Sequence, residues 1–196
     1  MNKNTIILLS VAAVLVIAVS WGVSKYNGFV NKDEAVKAEW SNVENQYQRR
    51  ADLIPNLVAT VKGYATHESE TLEGVISARA RATQITVDPD KLTPEKLQEF
   101  QAAQGELGAA LGRLMMITEN YPDLKANENF KELQAQLEGT ENRITVARKS
   151  FIDLAKEFNA SIRKFPASII ASMGGFEKKP YFEAEKGSEK APKVEF

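Results

Sequence analysis

Histidine, cysteine and clustered acids supply most catalytic and metal-binding sites, and this chain is poor in the first two. It has no cysteine and one histidine, His67. A carboxylate-bridged metal site in a helical bundle needs Glu-x-x-His on two helices, whereas the residue three before His67 is Tyr64. A Ser-His-Asp triad would also need His67, and the sequence has no strained serine turn. We therefore predict that the chain is not an enzyme and has no cofactor or metal, and we identify no small-molecule substrate.

The pair Arg49-Arg50, followed by Asp52, is the polar motif that most needs an explanation. Arg50 occupies a position of a helical stripe where an apolar residue is expected. A charge at such a position must be paired or lie at an open edge. We predict that Arg50 pairs with a carboxylate on a facing helix, either Glu119 or Glu141, and so helps to set the helix register. Contact with a partner protein or a lipid headgroup is the alternative.

Three glycines lie inside one predicted helix: Gly105, Gly108 and Gly112. Each costs up to about 1 kcal/mol relative to alanine in a helix interior, so something must offset the cost. One explanation is a self-association face, since small residues let helices approach closely. The explanation that we favour is room within the same bundle for the bulky residues Trp40, Tyr47 or Tyr64.

The chain opens with an uncharged, apolar run that predicts a membrane anchor over residues 1–25. No charged residue occurs between Lys3 and Lys25, and at about 1.5 Å per residue a helix of this length reaches roughly 30 Å, the thickness of the hydrocarbon core of a bilayer. The residues expected to carry the anchor are Ile6, Leu9, Val14, Ile17, Trp21, Val23 and Tyr26. A cleaved signal peptide with small residues at Ala18 and Ser20 is the alternative, but the run exceeds the usual apolar core of about 7–15 residues.

Two sequence patterns give opposite predictions for the side of the membrane on which the soluble domain lies. Lysines after the run (Lys25, Lys32, Lys37) outnumber Lys3 and by the positive-inside rule favour a cytoplasmic domain, although long domains override that count. The basic start and small-residue end resemble an export signal, so we favour the outer, periplasmic side of a bacterial cytoplasmic membrane. The formal net charge of -1 gives no indication of a nucleic-acid partner.

Helical periodicity continues after Lys25 almost to the end of the chain. The first stripe comprises Val36, Trp40, Val43, Tyr47, Ile54, Leu57 and Val61, with Pro55 expected to kink it, and resumes at Leu72, Val75 and Ile76 after a weak stretch from Gly63 to Thr71. A second helix begins at Thr93-Pro94, with Thr93 as N-cap, and Pro122 closes it. A third runs from Phe130 to Phe165, and a short helix from Pro166 carries Ile169, Ile170 and Met173.

These patterns predict an all-α fold in which the N-terminal transmembrane helix is followed by an antiparallel up-and-down bundle over residues 26–175. Residues 176–196 are rich in Lys, Glu, Pro and Gly and are expected to be mostly disordered. If the first soluble helix were unbroken to about Thr86, its surplus stripe would lack a partner within the chain. On that basis we predict a homo-oligomer or a complex with other membrane proteins.

Several stretches together resemble the LemA family of bacterial membrane proteins. They are Tyr26-Asn27-Gly28, RRADLIPNLV at 49–58, VKGY at 61–64, His67-Glu68, ENYPDLKA at 119–126, Glu141, Arg148, Phe165-Pro166 and Tyr181-Phe182-Glu183. Ile152 departs from a Tyr-Asn pair usual in the family. The residues taken as structural or interaction candidates are Arg49, Arg50, Asp52, Pro55, Glu119, Tyr121, Pro122, Glu141 and Arg148.

The resemblance implies a single anchor, a four-helix bundle, no cofactor and no known enzymatic activity. It also implies an envelope protein that works in assemblies with other membrane proteins. We therefore expect a membrane-anchored, non-enzymatic helical scaffold of the bacterial cell envelope. The alternative is an accessory or regulatory subunit of a membrane enzyme such as a membrane protease.

Overall fold

The computed structural model describes residues 2–183, and every regular element among them is helical. The helices are α1 (Lys3–Lys62), α2 (Ser69–Gln84), α3 (Pro94–Thr118), α4 (Pro122–Ala126), α5 (Glu128–Arg163) and α6 (Ala167–Met173), with a 3-10 turn at Pro89–Lys91. The predicted all-α class is confirmed. The chain divides into two compact units, one comprising the chain up to Trp40 with Ser150–Lys179, the other Ser41–Lys149 with the chain from Pro180.

Helix α1 joins the apolar opening run to the first amphipathic stripe without a break. Of the helices within residues 2–183, α1 alone is long and apolar enough to cross a membrane. Its predicted anchor residues are between 38% and 68% exposed, so the protein itself leaves them largely uncovered. The later stripe is buried as predicted, and α1 continues through the exposed Pro55 to Lys62.

The chain leaves α1 at Gly63, inside the weak stretch of the sequence from Gly63 to Thr71, so the first soluble helix does not continue unbroken to Thr86. Residues 63–68 turn, because Ala65 enters the core and is fully buried. Helix α2 then packs against α1 and α3, so the surplus stripe does not exist. Ile76 was placed on that stripe but is 52% exposed, since one side of α2 meets the core and Ile76 lies off it.

In the unit Ser41–Lys149, the long helices share one apolar core. Its buried members come from α1 through α5 and include Ile54, Leu57, Val75, Leu107, Leu114, Leu124 and Leu137. Helix α3 begins as predicted, with Thr93 Oγ1 accepting a hydrogen bond from the Lys96 N–H at 3.3 Å. Four long helical segments around one core form the predicted bundle.

The unit comprising the chain up to Trp40 and Ser150–Lys179 has an aromatic core. Its edge-to-face ring pairs include Trp40–Phe151, Tyr26–Phe176, Phe29–Phe176 and Phe158–Phe176, with centroids 5.4–6.2 Å apart. Asn159 Nδ2 donates to the Lys179 carbonyl, and the Lys179 N–H donates to Asn159 Oδ1, both at 2.8 Å. Residues 176–179, the first part of the predicted disordered tail, are therefore held by this unit, and residues 184–196 lie outside the described residues.

The predicted end of the third helix is corrected. Helix α5 ends at Arg163, so Phe165 lies beyond its stripe and is 83% exposed. On α6 the buried side chains are Ala167 and Ala171, whereas Ile169 and Met173 are exposed. The smaller alanines of α6 therefore face the protein.

Candidate functional site

Arg50 is buried in the bundle core and is tied to two other helices. The residue is 6% exposed, and its Nη1 donates to Glu141 Oε2 at 3.0 Å. Its Nη2 donates to the side-chain and main-chain oxygens of Gln104 at 2.9 and 3.1 Å. The guanidinium also lies 5.1 Å from the centroid of the Tyr47 ring, close enough for a cation–π contact. Arg50 thus links α1 to α3 and α5.

Of the two carboxylates predicted to pair with Arg50, Glu141 makes the contact. Its side chain is 58% exposed, so the ion pair is buried at the arginine end and solvated at the other. Glu119 pairs instead with Lys125. Within residues 2–183, the Nε of Arg50 has no hydrogen-bond partner.

The remaining α1 candidates lie outside this cluster. Arg49 and Pro55 are exposed, and Asp52 accepts a hydrogen bond from Gln48 Nε2 at 2.7 Å on the same exposed side. They do not join Arg50, because neighbours in sequence point to different sides of a helix.

Tyr121 and Pro122 close the far end of α3. The Tyr121 hydroxyl donates to Glu68 Oε1 at 3.0 Å, and this hydrogen bond raises the pKa of the tyrosine. Pro122 is the first residue of α4, where a missing N–H costs nothing. These two residues therefore hold a connection between helices.

Arg148 lies on α5 beside the same core as Arg50. Its guanidinium is 4.6 Å from the centroid of the Phe182 ring. Burial raises the pKa of the nearby Tyr47 hydroxyl, and the charges of Arg148 and Arg50 partly oppose that rise. Tyr47 therefore remains protonated and uncharged near neutral pH.

An open groove of about 850 Å³ runs between α3 and α5 beside these residues. Its charged lining comprises Arg50, Arg148, Glu138, Glu141 and Glu183. The glycines of α3 and the side chains of Leu111, Met115 and Leu137 supply much of the rest. The groove therefore has a floor of glycines and apolar side chains, bordered by charges of both signs and by glutamines that include Gln98, Gln101 and Gln134.

The glycines of α3 face open space, which corrects the explanation that we favoured for them. A Cβ placed on Gly105, Gly108 or Gly112 would have no neighbour within 4 Å. They therefore make no room for Trp40, Tyr47 or Tyr64. Tyr64 is instead 42% exposed and accepts a hydrogen bond from Asn127 Nδ2 at 3.0 Å.

A longer pattern on α3 was missed in the sequence. The exposed face of the helix follows alternating steps of three and four residues, along Ala102, Gly105, Ala109, Gly112 and Met116, a set that we call the α3 seam. Only Met116 is large, and it is 67% exposed. The heptad-like spacing was readable from the sequence, but small residues give a weak apolar signal. Within residues 2–183, no cluster of acids and histidine fits a metal ion.

The sequence matches a protein-family model described as the LemA family over residues 39–196, most of the chain. This chain belongs to the LemA family. Together with the apolar helix α1, that membership supports a membrane-associated LemA-family protein.

Curated relatives of this LemA-family chain include proteins named MamQ and a protein named LemA. It is 30% identical over 179 residues to the magnetosome protein MamQ of Magnetospirillum gryphiswaldense, covering 81% of this chain and 64% of the relative. It is 28% identical over 176 residues to the magnetosome protein MamQ 1 of Paramagnetospirillum magneticum, covering 81% and 65%. It is 24% identical over 149 residues to protein LemA of Metamycoplasma hominis, covering 76% and 64%. The chain thus spans about 65% of the length of these relatives.

Proposed function

We propose that this LemA-family protein is a non-enzymatic scaffold of the bacterial envelope, anchored by α1 and assembled through the α3 groove. The observation that carries the proposal is the open groove floored by Gly105, Gly108 and Gly112. Glycine in a helix interior costs up to about 1 kcal/mol, and no neighbour within the described chain needs the space. A partner that packs on this face would explain the cost.

The size of the groove fits a helix. A helix about 10 Å across fills roughly 120 Å³ per residue. The groove of about 850 Å³ therefore corresponds to roughly two helical turns. Small residues at the floor let the backbone of a docked helix come close, which increases the number of van der Waals contacts.

The occupant that we favour is α3 of a second copy. The residues of the α3 seam carry no charge, so the centre of a contact between two copies is free of like-charge repulsion. A shared, self-complementary patch is also what a two-fold dimer requires. In this proposal the bundle lies on the outer side of the cytoplasmic membrane, where α1 concentrates the copies in one plane.

Cysteine cross-linking in membranes tests this proposal directly, because the chain has no native cysteine. Ala109→Cys lies in the α3 seam, and oxidation should yield a disulfide-linked dimer. The matched control is Gly74→Cys on α2, where a Cβ also meets nothing within 4 Å. The control should form little dimer under the same conditions.

Bulky substitutions then separate the seam from the fold. Adding Gly105→Leu and Gly112→Leu to the Ala109→Cys variant should abolish its cross-link while leaving thermal unfolding of the monomer nearly unchanged, and adding Gly74→Leu should leave both unchanged. A cross-link that survives the double substitution contradicts the proposal. If Ala109→Cys gives no dimer and a membrane enzyme co-purifies in stoichiometric amount, the accessory-subunit alternative replaces the scaffold.

A further inference from the structure

Helix α6 and the turn before it expose large apolar side chains. Phe165 is 83% exposed, Ile169 53% and Met173 81%. Ile169 and Met173 are four residues apart and so share one face of α6. No charged residue occurs from Phe165 to Phe176. Such a surface is unfavourable in water, because removing an exposed apolar side chain from water lowers the free energy of the system.

This apolar surface lies beside the last turns of the uncharged run of α1. A Cβ placed on Gly22 would be 3.5 Å from Ile170 Cδ1. A cleft of about 340 Å³ is lined on one side by Val19 and Val23 and on the other by Ile170 and Met173. Val19 precedes Lys25 by six residues, about 9 Å along a helix. Helix α6 therefore reaches the level of residues that we assign to the bilayer.

The turn after α6 holds the helix at this level. A Cβ on Gly174 would lie 2.8 Å from the Phe176 ring and 2.9 Å from the Tyr26 ring, so the ring pair packs directly on the backbone. Gly175 has φ +72°, a left-handed conformation that favours glycine. Two glycines thus let the chain turn tightly against Tyr26, at the end of the anchor.

Basic side chains lie next to the apolar surface. Lys25 and Lys164 line a cavity of about 510 Å³ together with Trp21 and Phe165. Arg163 and Lys164 are exposed and directly precede Phe165. Exposed cations beside exposed apolar groups match the boundary between anionic headgroups and acyl chains.

We propose that α6, with the Phe165 turn, is a second membrane contact that inserts into the headgroup–acyl boundary of an anionic bilayer beside α1. This contact goes beyond the scaffold function and requires the anchor but not the α3 seam. A span alone can tilt and rotate in a bilayer, because its tilt is set by packing and interfacial anchors. A second contact, at Ile169 and Met173, restricts both motions.

Depth-dependent fluorescence quenching tests the contact on the full chain. Single cysteines are introduced at Ile169 and Met173, labelled with an environment-sensitive dye, and reconstituted in vesicles of phosphatidylethanolamine and phosphatidylglycerol. Quenching by brominated lipid is compared with quenching by aqueous iodide. The matched water-exposed control is Val146→Cys on α5, which is 68% exposed. The control within the span is Val14→Cys.

We expect brominated lipid to quench the labels at 14, 169 and 173, and iodide to quench the label at 146. If brominated lipid quenches the label at 14 but iodide quenches the labels at 169 and 173, the α6 contact is overturned and the anchor stands. Iodide access at 14 would overturn the anchor and with it the contact. Replacing phosphatidylglycerol with phosphatidylcholine should reduce lipid quenching at 169 and 173, and an unchanged value would refute the headgroup part of the proposal.

Discussion

At the scale of the residue, the bundle core contains the buried cation of Arg50, which binds one exposed carboxylate and one buried glutamine. Arg50 is buried, whereas the carboxylate of Glu141 remains in water, so the pair avoids most of the desolvation cost of burying two charges. Gln104 accepts the second guanidinium hydrogen bond and donates its own Nε2 hydrogen bond to the Ala82 carbonyl at 3.3 Å. Arg50 therefore depends on a network rather than on one ion pair.

Arg50→Met should lower the free energy of unfolding by about 1–3 kcal/mol. Gln104 would lose a charged hydrogen-bond donor, and water would replace the guanidinium as the partner of Glu141. Arg49→Met, at the exposed neighbouring position, should stay within about 0.5 kcal/mol of the parent. Chemical denaturation of both variants measures the difference. Equal stabilities would show that the network contributes nothing to the fold.

Asp33 provides a pH-dependent contact. Burial alone would raise its pKa, but hydrogen bonds and charges from Lys179 and Lys37 lower it below the ordinary value of 3.8. A lowered folded-state pKa means that the stabilisation is present above about pH 4 and is lost as the pH falls below it. Asp33→Asn should therefore flatten the dependence of the melting temperature on pH between about pH 5 and pH 3. Asp52→Asn, an exposed aspartate on the same helix, is the control, and an unaltered pH profile in Asp33→Asn would contradict the assignment.

At the scale of the element, α3 is a helix that packs large side chains on one face and carries glycines on the other. Its core positions are mostly apolar and buried, while a Cβ added to the glycines of its other face would meet nothing within 4 Å in the described chain. The short α6 shows the opposite arrangement, since it buries alanines and exposes large apolar residues. The glycines of α3 and the large apolar residues of α6 therefore lie on surfaces that the described chain leaves uncovered.

In the detergent-dispersed monomer, Gly108→Ala should raise the free energy of unfolding by about 0.5–1 kcal/mol, because the new methyl group meets nothing within the chain described and alanine favours the helix. Gly174→Ala should lower it, since its Cβ would lie 2.8 Å from the Phe176 ring. Denaturant midpoints of the two variants should therefore move in opposite directions. A destabilised Gly108→Ala would mean that the groove is closed in the protein in solution.

At the scale of the whole molecule, one helix carries both the apolar run and part of the bundle core. Because α1 continues from Lys3 to Lys62 without a break, the proposed anchor and the first bundle segment are one continuous element. The side of the membrane on which the bundle lies then follows from the direction in which α1 inserts.

Thr66→Cys, at an exposed turn position, should react with a membrane-impermeant maleimide in intact cells if the bundle lies outside the cytoplasmic membrane. We expect labelling without lysis, because the opening run resembles an export signal. Lysed cells provide the control for intrinsic reactivity. Labelling that requires lysis would place the bundle in the cytoplasm.

Periodicity and caps predicted the helices well but not the surfaces. The stripes of α1 and α3 and the N-cap at Thr93 follow from local rules, so they were readable. The break at Gly63 was recognised only as a weak stretch, because a turn depends on where Ala65 can be buried. The position of Ile76 was missed for the same reason, since the side of a helix that meets the core depends on neighbouring helices.

The sequence by itself determined the helical class, the apolar run and the position of an arginine on a core stripe, because each depends on the order of residues along one helix. It also determined the family, because motifs along most of the chain match it. Only the tertiary structure decided that Arg50 meets Glu141 rather than Glu119, that the α3 glycines border an open groove, and that α6 lies beside the end of the apolar run. These outcomes depend on distances between segments far apart in the chain. Local patterns constrain such distances only through the packing of whole helices.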